Sequence, residues 1–292
     1  MNHFKGSVRG TGFRSLAFLS LLLAGCAGQK TFWGDPSSGL ILRYRTPENA
    51  LRYDVSAKMR QNMTFGEQPF QVDSDSRSVV SMKPADGSPV SLQITVDSTA
   101  MKTASPMGDM SPDLSGLTGK PFGMTLSERG KETLAPEAAS IQVDLGQMGG
   151  KRGVQADFTD FFENLPADPV RVGESWNSID TVTVEQGGMN IVMVIESRST
   201  LTGLEKVRGL ECARIAVESK GKMSGSGEQM GASLAMTGDI QSKGNWAFAY
   251  KKGLMTESSA ETTTESTIEI SGPEDMTMPM KMSVTSLKIL KD

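Results

Sequence analysis

The sequence predicts an all-β fold with minor α content: two related antiparallel sheets forming a curved-sheet, half-barrel or sandwich unit, with one short helix near residues 157–165. Three observations carry that expectation. Apolar and polar residues alternate with period two over long stretches, as half-buried strands require. Clusters of Gly, Pro, Asp and Ser punctuate those stretches at turn spacing. Glu257, Glu261, Glu265 and Glu269 fall four residues apart among Thr and Ser, a spacing that would stack like charges on one helix face and therefore favours a strand.

Residues 1–15 carry Lys5, Arg9 and Arg14 with no acid and lead into the apolar run Leu16–Leu23. That run is too short to span a bilayer and reads as the core of a secretory signal peptide. It ends in Leu23-Ala24-Gly25-Cys26, which resembles the bacterial lipobox. The resemblance implies cleavage before Cys26, a diacylglyceryl (palmitate-type) thioether on its sulfur and an acylated amine. Several acyl chains hold a protein at a membrane far more firmly than one. Ala27, standing where enteric inner-membrane lipoproteins carry Asp, points to the outer membrane facing the periplasm.

Cleavage would remove three bases and no acid, moving the net charge from −4 to −7. An acidic chain without a basic cluster offers no footprint for nucleic acid. The one histidine, His3, lies in the leader, so the expected mature chain has no imidazole for general-base or metal-ligand chemistry. Cys212 is the one cysteine besides Cys26, which excludes an intramolecular disulfide in the mature chain.

The expected organisation is a signal peptide over 1–25, a lipidated tether over 26–39, a first β half over 40–145, a joint over 146–178 and a second β half over 179–292. In the first half, Leu51, Tyr53, Val55, Ala57 and Met59 alternate with Arg52, Asp54, Ser56, Lys58 and Arg60, and the turn at Thr46-Pro47 pairs this strand with Leu40–Arg45. Val90, Leu92, Ile94 and Val96 mark the next strand, residues 101–118 a loop, and Phe122, Met124 and Leu126 another strand. Gly-rich 146–153 precedes a helix capped by Asp157 and running through Phe158, Phe161, Phe162 and Leu165 to Pro166. In the second half, Met189–Ile195 is apolar on both faces, and strands follow at 212–220, 233–241, 245–250 and 254–270. The stretches 119–130 and 244–253 share a Gly start, alternating apolar residues and a basic-Gly turn, suggesting related halves.

The residues Leu117-Thr-Gly-Lys-Pro-Phe122, Leu165-Pro-Ala-Asp-Pro-Val-Arg-Val-Gly-Glu-Ser-Trp176 and Gly209-Leu-Glu-Cys-Ala-Arg-Ile215 resemble a family of uncharacterised bacterial envelope lipoproteins over about residues 40–290. The layout is similar to curved-sheet carriers of the LolA type. The resemblance implies location and β architecture, and no catalytic residue.

No nucleotide loop is present, since Gly225-Ser-Gly227-Glu-Gln-Met-Gly231 has the wrong spacing and reads as a hairpin tip. Asp157, Asp160 and Glu163 are acids at a helix start, better placed to complement its dipole than to act as paired catalysts. Cys212 lacks an activating base. Met276, Met278, Met280 and Met282 alternate along one strand face, where thioethers could converge on Cu(I), although methionine also serves as general apolar filler. The expected function is therefore a non-enzymatic, membrane-anchored lipoprotein without cofactor. It would bind an apolar ligand in a β cavity lined by Met189, Ile191, Met193, Trp246, Phe248 and Tyr250. A scaffold or assembly factor for another envelope protein is the alternative reading, and soft-metal binding a third.

Overall fold

Eleven strands, laid down almost in chain order, hydrogen-bond into one antiparallel sheet in the computed structural model of the chain. It describes residues 33–291 apart from 66–67, 88–89, 145–150, 187–188, 230 and 273–274. The strands are β1 (Leu51–Phe65), β2 (Gln68–Ala85), β3 (Val90–Ala104), β4 (Phe122–Leu126), β5 (Glu132–Leu134), β6 (Ser175–Gln186), β7 (Met189–Val207), β8 (Leu210–Gln229), β9 (Ala232–Ala249), β10 (Leu254–Ser271) and β11 (Met276–Leu290). Across the sheet they run β6-β7-β8-β9-β10-β11-β1-β2-β3-β4-β5. The expected leader and Cys26 lie outside the described residues, as does most of the Gly-rich joint.

The all-β class with a curved antiparallel sheet holds, with both expected halves joined in one large sheet; two small two-stranded sheets, Gly34–Asp35 with Gly39–Leu40 and Gln142–Asp144 with Lys151–Gly153, stand apart from it. The join is the pairing of β11 with β1, from Met280↔Met63 to Leu290↔Tyr53. Those partners are more than 200 residues apart in the chain, beyond the reach of any local pattern. Another correction concerns Leu40–Arg45, which is not the hairpin partner of β1. It crosses the end of the sheet, exchanging backbone bonds between Leu40 and Val170 and donating from Tyr44 N to Glu128 O (2.9 Å) and from Arg45 N to Gly253 O (3.2 Å). β1 pairs instead with β2 and β11.

Cross-strand partners point to the same side, so the register sorts the sheet into two faces, an inner and an outer one. The inner face is covered at one end. Leu40, Leu42 and Tyr44 from the crossing segment, with Phe158, Phe161, Phe162 and Leu165 from the connection before β6, pack on Tyr53, Ile94, Phe122, Trp246 and Phe248. Burial of this kind contributes about 25 cal/mol per Å² of apolar surface removed from water. The rings pack edge-on, with Tyr44 to Phe248 at 5.1 Å and Phe122 to Phe158 at 5.2 Å.

The predicted helix moves and shrinks. It is α1, Val154–Phe158, with Gly153 as its N-cap and Asp157 inside it. Asp160 then adopts φ 66°, a left-handed conformation that ends helical winding in an L-residue. Phe161, Phe162 and Leu165 are consequently delivered by an extended strap, which brings all three onto the sheet.

The far end of the sheet is curled tightly by glycine. A Cβ at Gly221 would sit 2.6 Å from Val194 O, and one at Gly238 would sit 2.6 Å from Ser266 Cβ. Only residues without side chains admit that approach.

Candidate functional site

The strap over residues 158–165 is fastened to the covered end by named bonds. Phe162 N donates to Glu132 Oε1 at 2.6 Å, and Lys288 Nζ donates to Phe161 O at 2.6 Å. Tyr44 Oη donates to Glu163 O at 3.0 Å, Ser258 Oγ donates to Glu163 Oε1 at 2.9 Å, and Trp176 Nε1 donates to Asn164 O at 2.9 Å. Asn164 Nδ2 in turn donates to Asp180 Oδ2 at 2.8 Å. Burial pushes the Glu132 carboxyl up to about 7 against the opposing pull of the Phe162 amide and Lys288. Burial, then repulsion from Glu163, pushes Asp160 up to about 7 as well. Asp160 as a residue is largely exposed, whereas Glu132 is half-buried. Asp157, expected beside these acids, pairs instead with Arg152.

Beyond the covered end the inner face changes chemistry row by row. A hydroxyl row comes first: Ser178, Ser197, Ser219, Ser242 and Thr262 are successive cross-strand partners. Ser197 and Ser219 lie 2.8 Å apart, and Ser242 and Thr262 2.9 Å apart, through their hydroxyls. After a mixed row of Ile195, Gly221, Ile240, Thr264, Met282 and Gln61 come Met193, Met223, Gly238, Ser266, Met280 and Met63 in one row, then Ile191, Gly225, Met236, Ile268 and Met278 in another. Ile191, Met236, Ile268 and Met278 are buried against one another and against methionines of neighbouring strands. All members of this apolar cluster belong to the sheet, so among the described residues no other element covers it.

The outer face carries ions. Lys222, Asp239, Glu265 and Lys281 form one row of cross-strand partners, and Arg198, Glu218, Lys243 and Glu261 another. Lys222 pairs with Asp239, and Lys281 with Glu265 at 2.7 Å. A groove of about 800 Å³ on this face is lined by Asn177, Glu196, Arg198, Lys220 and Lys243, with Ile179 as an apolar member among polar neighbours. Nearer the covered end Cys212 is fully buried beside Ala247 and Ala249, with Sγ 3.7 Å from Thr256 Oγ1. Burial pushes its thiol up, which makes it a packed residue and no nucleophile.

The six residues assigned to one ligand cavity fall in two places. Trp246, Phe248 and Tyr250 belong to the covered core, while Met189, Ile191 and Met193 belong to the open cluster. Met276, Met278, Met280 and Met282 do share one face of β11, and Gln61 Nε2 donates to the sulfurs of Met280 (2.8 Å) and Met63 (3.2 Å). Sequence reasoning missed the hydroxyl row and the ionic rows because both are made by register between strands. It also missed Glu132 and Lys288, since nothing local marks either as the anchor of a distant strap.

No family model matches the chain, and no curated protein matches it. Solved structures similar to it include OccK5 (OpdH) of Pseudomonas aeruginosa, at 5% identity over 85% of this chain and 100% of that chain, with a TM-score of 0.29. OccD3 (OpdP) of the same organism gives 6% identity, 88% and 96% coverage and a TM-score of 0.25. OccAB4 of Acinetobacter baumannii gives 7%, 85%, 99% and 0.22. These are outer-membrane porins and not LolA-type carriers, so both the expected lipoprotein family and the carrier layout are corrected. The expected function is corrected with them: an apolar-ligand lipoprotein, a scaffold for another envelope protein and a soft-metal protein all lose their basis. For the apolar-ligand reading the physical reason is the split cavity, half of which is packed core. At these TM-scores the porin likeness itself carries no argument about what the chain does.

Proposed function

We propose that this chain is a non-enzymatic protein of the bacterial envelope, held at the outer membrane by lipid on Cys26, that assembles with further copies of itself through the free edge of its sheet. The observation that carries the reading is β6. It is paired along all twelve residues with β7, from Ser175↔Thr200 to Gln186↔Met189, and among the described residues has no strand on its other side. An unpaired strand edge is a template for another strand unless it is short, bulged, or marked by Pro or Lys. β6 has none of these: its sequence Ser-Trp-Asn-Ser-Ile-Asp-Thr-Val-Thr-Val-Glu-Gln is rich in β-branched residues, and Ile179 is 70% exposed. Asp180 is the one acid on its inner side, and it is already engaged by Asn164. The opposite edge is stepped: β5 has only three residues, β4 pairs β3 only over Val90–Ile94, and loop backbone at Gly119 and Met110 bonds Val96 and Thr103 beyond it. A second copy adding its own β6 antiparallel would form an isologous pair.

Sedimentation of the full chain in detergent micelles across a concentration series tests this. We expect a dimer or larger assembly for the natural chain, and a monomer of unchanged melting temperature for Ile179→Lys with Thr181→Lys. A natural chain that stays monomeric throughout, or a double variant that assembles equally well, refutes the reading. The anchor is tested separately: Cys26→Ala should move the protein from the membrane to the soluble fraction.

A further inference from the structure

Methionine is not spread evenly through this molecule. Among the described residues the covered core and its partly buried neighbours number 39, of which four, Met82, Met101, Met124 and Met255, are methionine. The open cluster and its partly buried neighbours number eleven, of which seven are methionine. Following register, ten of the chain's 19 methionines lie on the open inner face: Met59 and Met63 on β1, four more on β7, β8 and β9, and Met276, Met278, Met280 and Met282 on β11. Leucine and phenylalanine fill the end that is covered, and methionine fills the end that is open. Apolar filling alone does not explain that division, because leucine serves both ends equally well as a hydrophobe.

What separates the two side chains is chemistry. A thioether gives up an electron pair to a two-electron oxidant and leucine does not. Most of these sulfurs sit on half-buried residues, reachable from water and held in place by the strand. Two hydrogen-bond donors stand among them. Gln61 Nε2 already donates to the sulfurs of Met280 and Met63, and Ser266 Oγ, the cross-strand neighbour of Met280, is buried without a hydrogen-bond partner. Either donor can bond the oxygen that oxidation places on sulfur.

We propose that the open inner face is an oxidant-reactive thioether surface, on which methionines are converted to sulfoxides by hypohalous acids while the fold is retained. In each event the sulfur lone pair attacks hypochlorous acid, the S–O bond forms, and the acid leaves as chloride and a proton. The sulfur loses two electrons and the chlorine gains them. Retention of the fold follows from the banding. The covered core rests on other residues, and the hydroxyl row of Ser197, Ser219, Ser242 and Thr262 separates it from the sulfurs of the open cluster. New polar oxygens therefore appear on a water-facing surface. This inference is independent of self-assembly through β6, which leaves the inner face open.

The test is a titration of the full chain with hypochlorous acid, read by peptide mass mapping and by thermal unfolding. We expect Met63, Met193, Met223 and Met280 to take up oxygen about tenfold faster than Met82, Met124 and Met255, with the melting transition kept. Met107, 69% exposed on a loop, calibrates simple accessibility, and Met280 should react at least as fast despite its lower exposure. Gln61→Leu should slow Met280 while leaving Met193 unchanged. Replacing Met193, Met223 and Met280 together by Leu should lower the uptake by three oxygens in a folded chain. Rates that follow exposure alone, face methionines as slow as the core ones, or loss of the fold with the first oxygens would each overturn the proposal.

Discussion

Glu132 offers a direct reading of how the strap is held. Its carboxylate accepts the Phe162 N–H at 2.6 Å, and burial raises it from its ordinary 4.5 to about 7. The sign follows from proton linkage: the folded state holds the proton more tightly than the unfolded chain, so the contribution is fully present below pH 4.5 and is lost as pH rises through 7. Each tenfold difference in proton affinity between the two states is equivalent to about 1.36 kcal/mol, so the folded state should lose about 2.5 kcal/mol from this group alone between pH 5 and pH 8. Asp160 and Asp180 are raised for the same first reason, burial, and work in the same direction. The acids held low, such as Asp73 beside Arg60, change protonation below this window. The perturbation is Glu132→Gln, which keeps an oxygen for the Phe162 amide and removes the titration. Chemical denaturation at pH 5 and pH 8 should show the natural chain weakening with pH and the variant weakening by about 2.5 kcal/mol less. A natural chain equally stable at both pH values, or a variant with an unchanged difference, refutes the assignment of the strap's fastening to Glu132.

Three further substitutions test the packing. Tyr53→Phe removes a fully buried hydroxyl that donates to Met255 O at 2.6 Å, and should cost about 1–2 kcal/mol in denaturant unfolding, because the carbonyl loses a buried partner. Gly238→Val forces a Cβ to within 2.6 Å of Ser266 Cβ and 2.7 Å of Glu265 O and should cost about 2–3 kcal/mol; Gly203→Ala, with open space around it, serves as the tolerated control. Asp239→Asn breaks an exposed pair with Lys222 and should leave the unfolding midpoint unchanged at moderate salt.

What the sequence disclosed and what it withheld divide along physical lines. Alternation at Leu51–Arg60 and Val90–Val96 is a local signal, and both stretches are strands. The acidic spacing at Glu257–Glu269 correctly excluded a helix. The helix over 157–165 failed because its apolar spacing fits a helix face and an extended strap equally, and only the left-handed Asp160 separates them. The single sheet was illegible because pairing β11 with β1 depends on residues at opposite ends of the chain. The inner-face methionines were visible as an alternating run, but their segregation from the covered core appears only when the strands are set in register. The strap's anchors were hidden for the same reason, since Lys288 and Phe161 are 127 positions apart.

The two faces of the open end also decide how the molecule can meet a membrane. A strand that crosses a bilayer presents an apolar band about 25 Å tall to lipid. The outer face has no room for one, since Lys222, Asp239, Glu265 and Lys281 form a row only two residues along the strands from Lys220 and Arg60, and Glu218, Lys243 and Glu261 stand two residues further on. Placing these rows against acyl chains would desolvate ions whose present pairings, such as Lys281 with Glu265 at 2.7 Å, are exposed and contribute about 1 kcal/mol or less each. The inner face is apolar only beyond its hydroxyl row. An ionic outer face of this kind is best satisfied in water, which is consistent with the proposals that lipid on Cys26 supplies the membrane attachment and the edge of β6 the assembly, and both leave the methionine face open to the proposed oxidation.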